Sequence, residues 1–264
     1  MNIFLKMQRF RSRLFLLFLV LLTVGFFGKD NFKNVPISDM SSPVFSDPVQ
    51  TPAADKAPIK FEKDGFSFTL TPLYNYQISG LVVHRMDYNK WYSLSRTDKT
   101  FTTDVCMLWG DNIKSGAYQN KSLDIKQDFR FCLFSYWGEL SLRNDQFSNN
   151  HLIIRDSKIM RINEEISPGD QVRITGKLVN VRAKVNGKTK QYEPEQADWM
   201  TSTIRTDTSG GACEIIYVEN IEIVRKGNTL YHTMYSIGKY GLWLVIFWYL
   251  CDFMKSVFFF RRNS

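Results

Sequence analysis

The chain has 264 residues, a formal net charge of +8 at pH 7 and four cysteines. The charge is concentrated at the ends, with +4 in residues 1–13 and +3 in residues 237–264, which leaves +1 for residues 14–236. A nucleic-acid-binding domain would carry its basic charge in the folded part. The distribution therefore argues against a nucleic-acid partner and is typical of the flanks of membrane segments.

The N-terminal residues have the pattern of a membrane anchor. Residues 1–13 form a basic tail, which we expect in the cytoplasm, and the apolar run behind it predicts a transmembrane anchor over residues 14–28. A spanning helix needs about 20 apolar residues, and Arg13 and Lys29 can reach the interfaces with their long side chains. A cleaved secretory signal is the alternative, but the run lacks a good small-residue cleavage site.

The C-terminal residues predict a second transmembrane helix. It covers residues 240–260, behind a connector over 227–239 and before a basic cytoplasmic tail at 261–264. Asp252 and Lys255 stand three apart, so they either pair on one helix face or face a partner helix. Because positive charge lies outside both segments, we expect both termini in the cytoplasm of a bacterium, with the inner membrane bilayer as a partner.

The part between the two segments is then periplasmic or extracellular. Residues 29–58 contain five of the eight prolines, which predicts an extended linker; an ordered strand that wraps the domain is the alternative. Residues 59–226 are rich in β-branched and aromatic residues with period-two alternation, which predicts an exported β-rich domain.

Local signals within this domain indicate strands, turns and one helix. The apolar set shifts by one residue next to Gly176, which predicts a β-bulge there. Asn186 and Gly187 predict a two-residue hairpin turn. Asp156 or Ser157 is placed to cap a helix. A long strand bent at a glycine and followed by a hairpin suits a small closed barrel.

We therefore expect a mainly β fold with minor α content (α+β). The segment GDQVRITGKLV at 169–179 resembles a strand of bacterial OB-fold domains. The resemblance implies a small OB-like barrel with added elements, flanked by two transmembrane helices; a β-sandwich is the alternative.

The whole chain is similar to uncharacterised bacterial membrane-anchored proteins. The similarity is carried by SNNHLI at 148–153, GDQVRITGKLV at 169–179 and TSTIRTDTSGGACEIIYVE at 201–219. That family has no assigned activity, so the resemblance implies the membrane topology and no chemistry.

Three cysteines lie in the exported part, where disulfides form: Cys106, Cys132 and Cys213. An odd number allows one internal bridge and one leftover thiol. We expect Cys213 to be a member of any bridge, with Cys106 or Cys132 as its partner. The other interpretations of Cys213 are a small buried side chain and a nucleophile.

A nucleophilic Cys213 would use His151 as its base and Asn149 or Asn150 as the orienting group. Cys213 precedes a strand rather than a helix, which disfavours this site, and no catalytic residue is predicted. Asp207 is expected to shape the glycine turn at 209–211 by accepting backbone N–H groups. No metal or nucleotide pattern is present, so no cofactor is expected.

The predicted function is that of a membrane-anchored envelope protein. Its exported domain would bind another envelope protein or organise a membrane complex, without catalysis. The alternative is an envelope hydrolase that uses the Cys213 and His151 pair.

Overall fold

The computed structural model describes residues 2–63, 65–88, 100–128, 130–186, 196–208 and 212–262. The fold is mixed α/β with a large sheet. Its helices, within that described part, are α1 (Asn2–Lys29), α2 (Asp111–Lys114), α3 (Ser157–Glu164) and α4 (Thr229–Arg262). Its strands there are β1 (Val49–Pro52), β2 (Ile59–Lys63), β3 (Phe66–Asp87), β4 (Thr103–Leu108), β5 (Asp124–Asp128), β6 (Phe131–Ser135), β7 (Phe147–Ile153), β8 (Gln171–Val185), β9 (Gln196–Trp199) and β10 (Glu214–Arg225).

The chain divides into two compact units. One consists of Met1–Asn31 and Asn228–Ser264, and the other of Phe32–Gly227. Helices α1 and α4 make up the first unit, and both are long and apolar enough to cross a membrane, with mean hydropathies of 1.9 and 1.2. They extend beyond the predicted segments because the basic tail and the connector continue the helices.

Helices α1 and α4 pack closely and run antiparallel. A Cβ at Gly25 would lie 2.3 Å from the backbone nitrogen of Tyr235, and one at Gly238 would lie 2.3 Å from that of Leu22. Small residues allow such close approach of helix backbones in membranes. The first residues of α1 and the last residues of α4 consequently lie at the same end of this helix pair.

A partly buried ion pair joins α1 to α4. Asp252 pairs with Arg11 of α1 and not with Lys255. Of the two predicted arrangements, the structure therefore has the one in which Asp252 faces a partner helix. Arg11 is only 4% exposed, and its guanidinium lies 5.3 Å from the ring centre of Trp248 and 4.9 Å from that of Tyr249. The charge is thus covered by a carboxylate and two aromatic faces.

The predicted linker over 29–58 is instead largely part of the second unit. Its apolar side chains, Val44 at 0% exposure among them, pack with Leu108 and Tyr118 in one core cluster. Strand β1 within it pairs antiparallel with β3. The proline-rich composition hid this order because only the tertiary contacts with the sheet fix the segment.

Five strands of the sheet contribute to the main core. Strand β3 pairs antiparallel with β4, β4 with β7, and β10 with β8, whereas β7 and β10 run parallel. Strand β8 also pairs antiparallel with β3, so the path of pairings returns to its first strand. Between the strands lies a buried apolar cluster that includes Ile78, Val105 and Ile216.

The irregularities near Gly176 lie on the neighbouring strands. Gly176 and Thr175 are consecutive on β8, but their partners on β10 are Val218 and Asn220. The register therefore shifts by one residue on β10. The predicted bulge in β8 is therefore a bulge in β10. The glycine is required for another reason: a Cβ at Gly176 would lie 2.1 Å from the carbonyl oxygen of Tyr217.

Of the other two local predictions, the helix is confirmed and the hairpin turn lies partly outside the described residues. The α3 helix is confirmed, with the Asp156 side chain accepting from the backbone nitrogens of Lys158 and Ile159. The predicted hairpin turn at Asn186 and Gly187 falls partly outside the described residues, which stop at Asn186 and resume at Gln196. Strands β8 and β9 on either side of this gap pair antiparallel.

Candidate functional site

A buried Asp–His pair lies on adjacent strands of the sheet. Asp104 of β4 and His151 of β7 are directly opposite each other in the antiparallel register. Residues opposite each other share a face of the sheet, and His151 Nδ1 lies 2.7 Å from Asp104 Oδ1. The pair is removed from solvent, with exposures of 0% for Asp104 and 6% for His151.

Cys213 adds a third member to this pair. It precedes β10, whose Ile215 lies opposite His151 in the parallel register. Alternation along an extended chain puts residue 213 on the same face as residue 215, and Cys213 lies close enough to the His151 ring to raise the pKa of the imidazole. Because Asp104 occupies Nδ1, the ring nitrogen left for the thiol is Nε2.

Side chains outside this triad fix its carboxylate and its ring. Asp104 Oδ2 accepts a hydrogen bond from Tyr88 Oη and another from Gln127 Nε2, each at 2.7 Å. The His151 ring stacks on Phe101 with 4.9 Å between ring centres. These contacts hold the carboxylate and the imidazole in one orientation, as a preorganised site requires.

The charge state of His151 follows from its neighbours. Burial alone would lower its pKa, but the hydrogen bond to Asp104, the proximity of Cys213 and the negative charge on Asp104 outweigh burial and raise the pKa to about 9. His151 is therefore protonated at neutral pH.

Asn149 and Asn150 point to opposite faces of β7. Asn149 Nδ2 donates to the carbonyl oxygen of Arg130 at 2.6 Å and lies 3.6 Å from Cys213 Sγ. Asn150 instead donates to the Val105 carbonyl and to Ser148 Oγ, on the inner face. Asp104, and not Asn149 or Asn150 as predicted, orients His151. Asn149 contacts the Cys213 sulfur instead.

The disulfide joins Cys106 to Cys132, and Cys213 is a free cysteine. The expectation that Cys213 belongs to the bridge is thus wrong. Strand β6 carries Cys132 toward the outer face of β4, where Cys106 is fully buried. The Cys213 side chain turns toward His151.

Cys213 borders an open cavity of about 270 Å³. Aromatic and aliphatic residues form much of its wall, and Asn149, Asp207 and Thr208 add polar groups; the apolar lining residues include Phe131, Leu133, Phe134 and Phe147. Of the triad, only Cys213 lines the cavity. The thiol is therefore the group that a bound molecule would meet first.

The loop before Cys213 is held by a buried ion pair. Arg205 lies 2.7 Å from Glu214 Oε1 and donates to Tyr76 Oη at 2.7 Å. Burial raises the pKa of Glu214, while the Arg205 charge opposes that shift. Asp207 accepts from Ser202 Oγ at 2.5 Å, and its predicted bonds to residues 209–211 fall outside the described residues.

Asp104, Tyr88 and Gln127 were not identified from the sequence. The available signal was an acid in TTDVCML, an otherwise uncharged segment. Throughout the parts of the chain that the structure describes, no group of three or more His, Cys, Asp or Glu side chains is arranged to hold a metal ion.

No protein-family model matches the chain, and neither does any curated protein or solved structure.

Proposed function

We propose that the chain is a membrane-anchored thiol hydrolase acting on acyl substrates, with Cys213 as the nucleophile. The observation that carries this proposal is the buried Asp104–His151 hydrogen bond next to Cys213, whose thiol borders an open cavity. A nucleophile next to a base that is held by an orienting group is the general arrangement for covalent catalysis. Cys213, His151 and Asp104 fill these three roles. The proposal replaces the non-enzymatic role as the leading function.

Each residue has a defined part in the reaction. The Cys213 sulfur attacks the carbonyl carbon of an ester or thioester while its proton resides on His151. His151 then gives that proton to the leaving group, and water hydrolyses the acyl-enzyme with His151 as the base. Asp104 is a positioning residue that keeps Nε2 directed at the sulfur.

Asn149 is placed to stabilise the negative charge that develops on the substrate oxygen. Its amide nitrogen lies 3.6 Å from Cys213 Sγ, next to the place where the tetrahedral carbon would form. A fixed donor beside such an oxygen lowers the barrier to acyl transfer. The apolar wall of the cavity suits a substrate whose acyl part is hydrocarbon.

The same proposal includes an OB-like closed barrel as the scaffold. It is supported by the path of pairings that returns to β3 and by a parallel β7–β10 pair whose connection contains α3. Three neighbouring strands of this path, β4, β7 and β10, bring Asp104, His151 and Cys213 together.

The proposal also places α1 and α4 across the bacterial inner membrane, with the sheet unit in the periplasm or outside the cell. It is supported by the basic residues at both chain ends and by the antiparallel helix pair. The Cys106–Cys132 disulfide agrees with an oxidising compartment.

A second candidate function is the binding of another envelope protein. The outward side of β6 and the residues after it expose large apolar side chains, with Trp137 at 77% exposure; the others are Phe131, Leu133 and Tyr136. Exposed apolar patches of this kind mark interaction surfaces. Loss of a co-purifying partner in Trp137→Ser, with thiol reactivity retained, would favour this candidate.

The deciding experiment treats the full chain, purified in mild detergent, with p-nitrophenyl esters of increasing acyl length. We expect release of nitrophenol and an acyl adduct on Cys213, detected by mass spectrometry. Cys213→Ser should abolish both, and Cys251→Ser, which changes the other free cysteine, should have no effect. Equal turnover by Cys213→Ser and the unaltered chain would overturn the proposal.

A further inference from the structure

The free thiol and the disulfide lie on either side of one side chain. Asn149 Nδ2 lies 3.6 Å from Cys213 Sγ, and Asn149 Oδ1 lies 3.5 Å from Cys132 Sγ. Cys132 and Cys213 also line the same cavity. Both sulfurs therefore contact the carboxamide of Asn149.

Strand register explains this arrangement. Cys106 lies opposite Asn149 in the β4–β7 pair. Glu214 pairs with Asn150 in the parallel register, and Cys213, the residue before Glu214, contacts the Asn149 side chain. The three residues thus form a row across neighbouring strands on the outer face, and Cys132 reaches that row from β6.

We propose that Cys213 exchanges with the Cys106–Cys132 disulfide, so that the nucleophile of the site is reversibly masked. The Cys213 sulfur attacks Cys132 Sγ, the Cys213–Cys132 bond forms, and the Cys132–Cys106 bond breaks. This inference rests on the proposed function only in taking Cys213 as the reactive thiol.

The attacked atom is Cys132 Sγ because of access. Thiol–disulfide exchange requires that the thiolate reach one sulfur of the bridge. Cys132 is partly exposed and borders the cavity, whereas Cys106 is fully buried. Cys106 is then the leaving group, and it remains in the core beside β7.

The exchange needs no oxidant or reductant. The proton of Cys213 resides on His151 when the sulfur attacks, and Cys106 takes up one proton after it leaves, so atoms and electrons balance. His84 lies opposite Cys106 in the β3–β4 register. Its Nδ1 has no hydrogen-bond partner within the described part of the chain, which leaves it available to a Cys106 thiol.

The masked form has a direct consequence for the proposed chemistry. A sulfur bonded to Cys132 cannot attack a carbonyl carbon, so acylation stops while the exchanged bridge persists. Reversal by the Cys106 thiolate restores the free nucleophile. The Cys106–Cys132 pair thereby controls the site by thiol–disulfide exchange.

The experiment maps cysteine pairing in the full chain in mild detergent. Exchange is stopped by acid, free thiols are then blocked with N-ethylmaleimide, and bridged peptides are identified by mass spectrometry. In the unaltered chain we expect a minor Cys132–Cys213 fraction with Cys106 alkylated. Cys251→Ser should give the same fraction and serves as the control.

A second variant isolates the new bond. Cys106→Ser leaves Cys132 and Cys213 as thiols, and oxidised glutathione should convert them to a Cys132–Cys213 bridge. Adding His151→Gln should slow this reaction by about tenfold, because less thiolate is present. Glutathione adducts on both cysteines without a bridge, together with no exchanged fraction in the unaltered chain, would overturn the proposal.

The two proposals fail separately in these measurements. Acylation of Cys213 by the nitrophenyl esters without any Cys132–Cys213 bridge would refute the exchange and keep the hydrolase. A Cys132–Cys213 bridge without acylation of Cys213 would refute the hydrolase and keep the exchange.

Discussion

His151 Nδ1 lies 2.7 Å from Asp104 Oδ1, across two adjacent strands on which the residues are direct register partners. The contact is buried, and two further donors, Tyr88 and Gln127, hold the second carboxylate oxygen. A carboxylate placed in this way keeps the imidazole protonated and fixes which nitrogen faces Cys213. Thiol reactivity at Cys213 therefore depends on a residue that the thiol itself does not touch.

Asp104→Asn tests that dependence. The amide keeps the shape of the side chain but not its charge, so the pKa of His151 should fall and Cys213 should react with iodoacetamide about a hundredfold more slowly. The measurement is the alkylation rate against pH, followed by mass spectrometry of the Cys213 peptide.

Asp124→Asn is the matched control, because Asp124 of β5 is exposed and pairs with Lys126. An unchanged alkylation rate in Asp104→Asn would show that the carboxylate has no part in activating the thiol.

Stability should depend on pH through His151. Its pKa is raised from the ordinary 6.5 to about 9, so the folded chain binds a proton that the unfolded chain releases between these values. The stabilisation is complete below about pH 6.5 and is lost as the pH rises through about 9. It is on the order of 3 kcal/mol.

The measurement is the thermal midpoint of the full chain across this pH range. His151→Gln removes the titrating group, so its midpoint should fall less steeply above neutral pH than that of the unaltered chain. Parallel curves for the two proteins would contradict a raised pKa for His151.

Gly176→Val tests the close approach of β8 and β10. A side chain at this position meets the Tyr217 carbonyl, which belongs to the strand backbone and cannot rotate away. We expect the free energy of unfolding to fall by about 2 kcal/mol or more. Thr175→Val, at the neighbouring and partly buried position, is the control in the same chemical denaturation experiment, and an equal effect at both positions would argue against the contact.

Asp252→Asn tests the ion pair within the helix hairpin. It leaves the Arg11 guanidinium buried without its carboxylate, and we expect the thermal midpoint in detergent to fall, at a cost of about 2 kcal/mol. A double change, Arg11→Leu with Asp252→Leu, should recover much of the loss because no buried charge remains. Equal losses in the single and double variants would show that the charges are not coupled.

The sequence predicted those features of the fold that local patterns determine. Asp156 caps α3 because its own side chain satisfies the first backbone N–H groups. The segment over 29–58 was misjudged because its order comes from contacts such as that between Val44 and the sheet.

Only part of the candidate site can be identified from the sequence, for the same reason. Cys213 and His151 were considered together as residue types with matching chemistry. Asp104 was not, because its position opposite His151 depends on a strand pairing that no short pattern specifies. The choice of Cys132 rather than Cys213 as the partner of Cys106 likewise depends on where β6 lies.

The parallel pairing of β7 with β10 also affects the order in which the three cysteines of the sheet unit are synthesised. Parallel strands need a long crossover, and here it contains α3, β8 and β9, so Cys213 leaves the ribosome well after the other two cysteines of the sheet unit. Cys106 and Cys132 are only 26 residues apart, and the shorter loop closes at a lower entropic cost. In an oxidising compartment the Cys106–Cys132 disulfide would thus form first. Cys213 would still be a thiol when β10 places it next to His151.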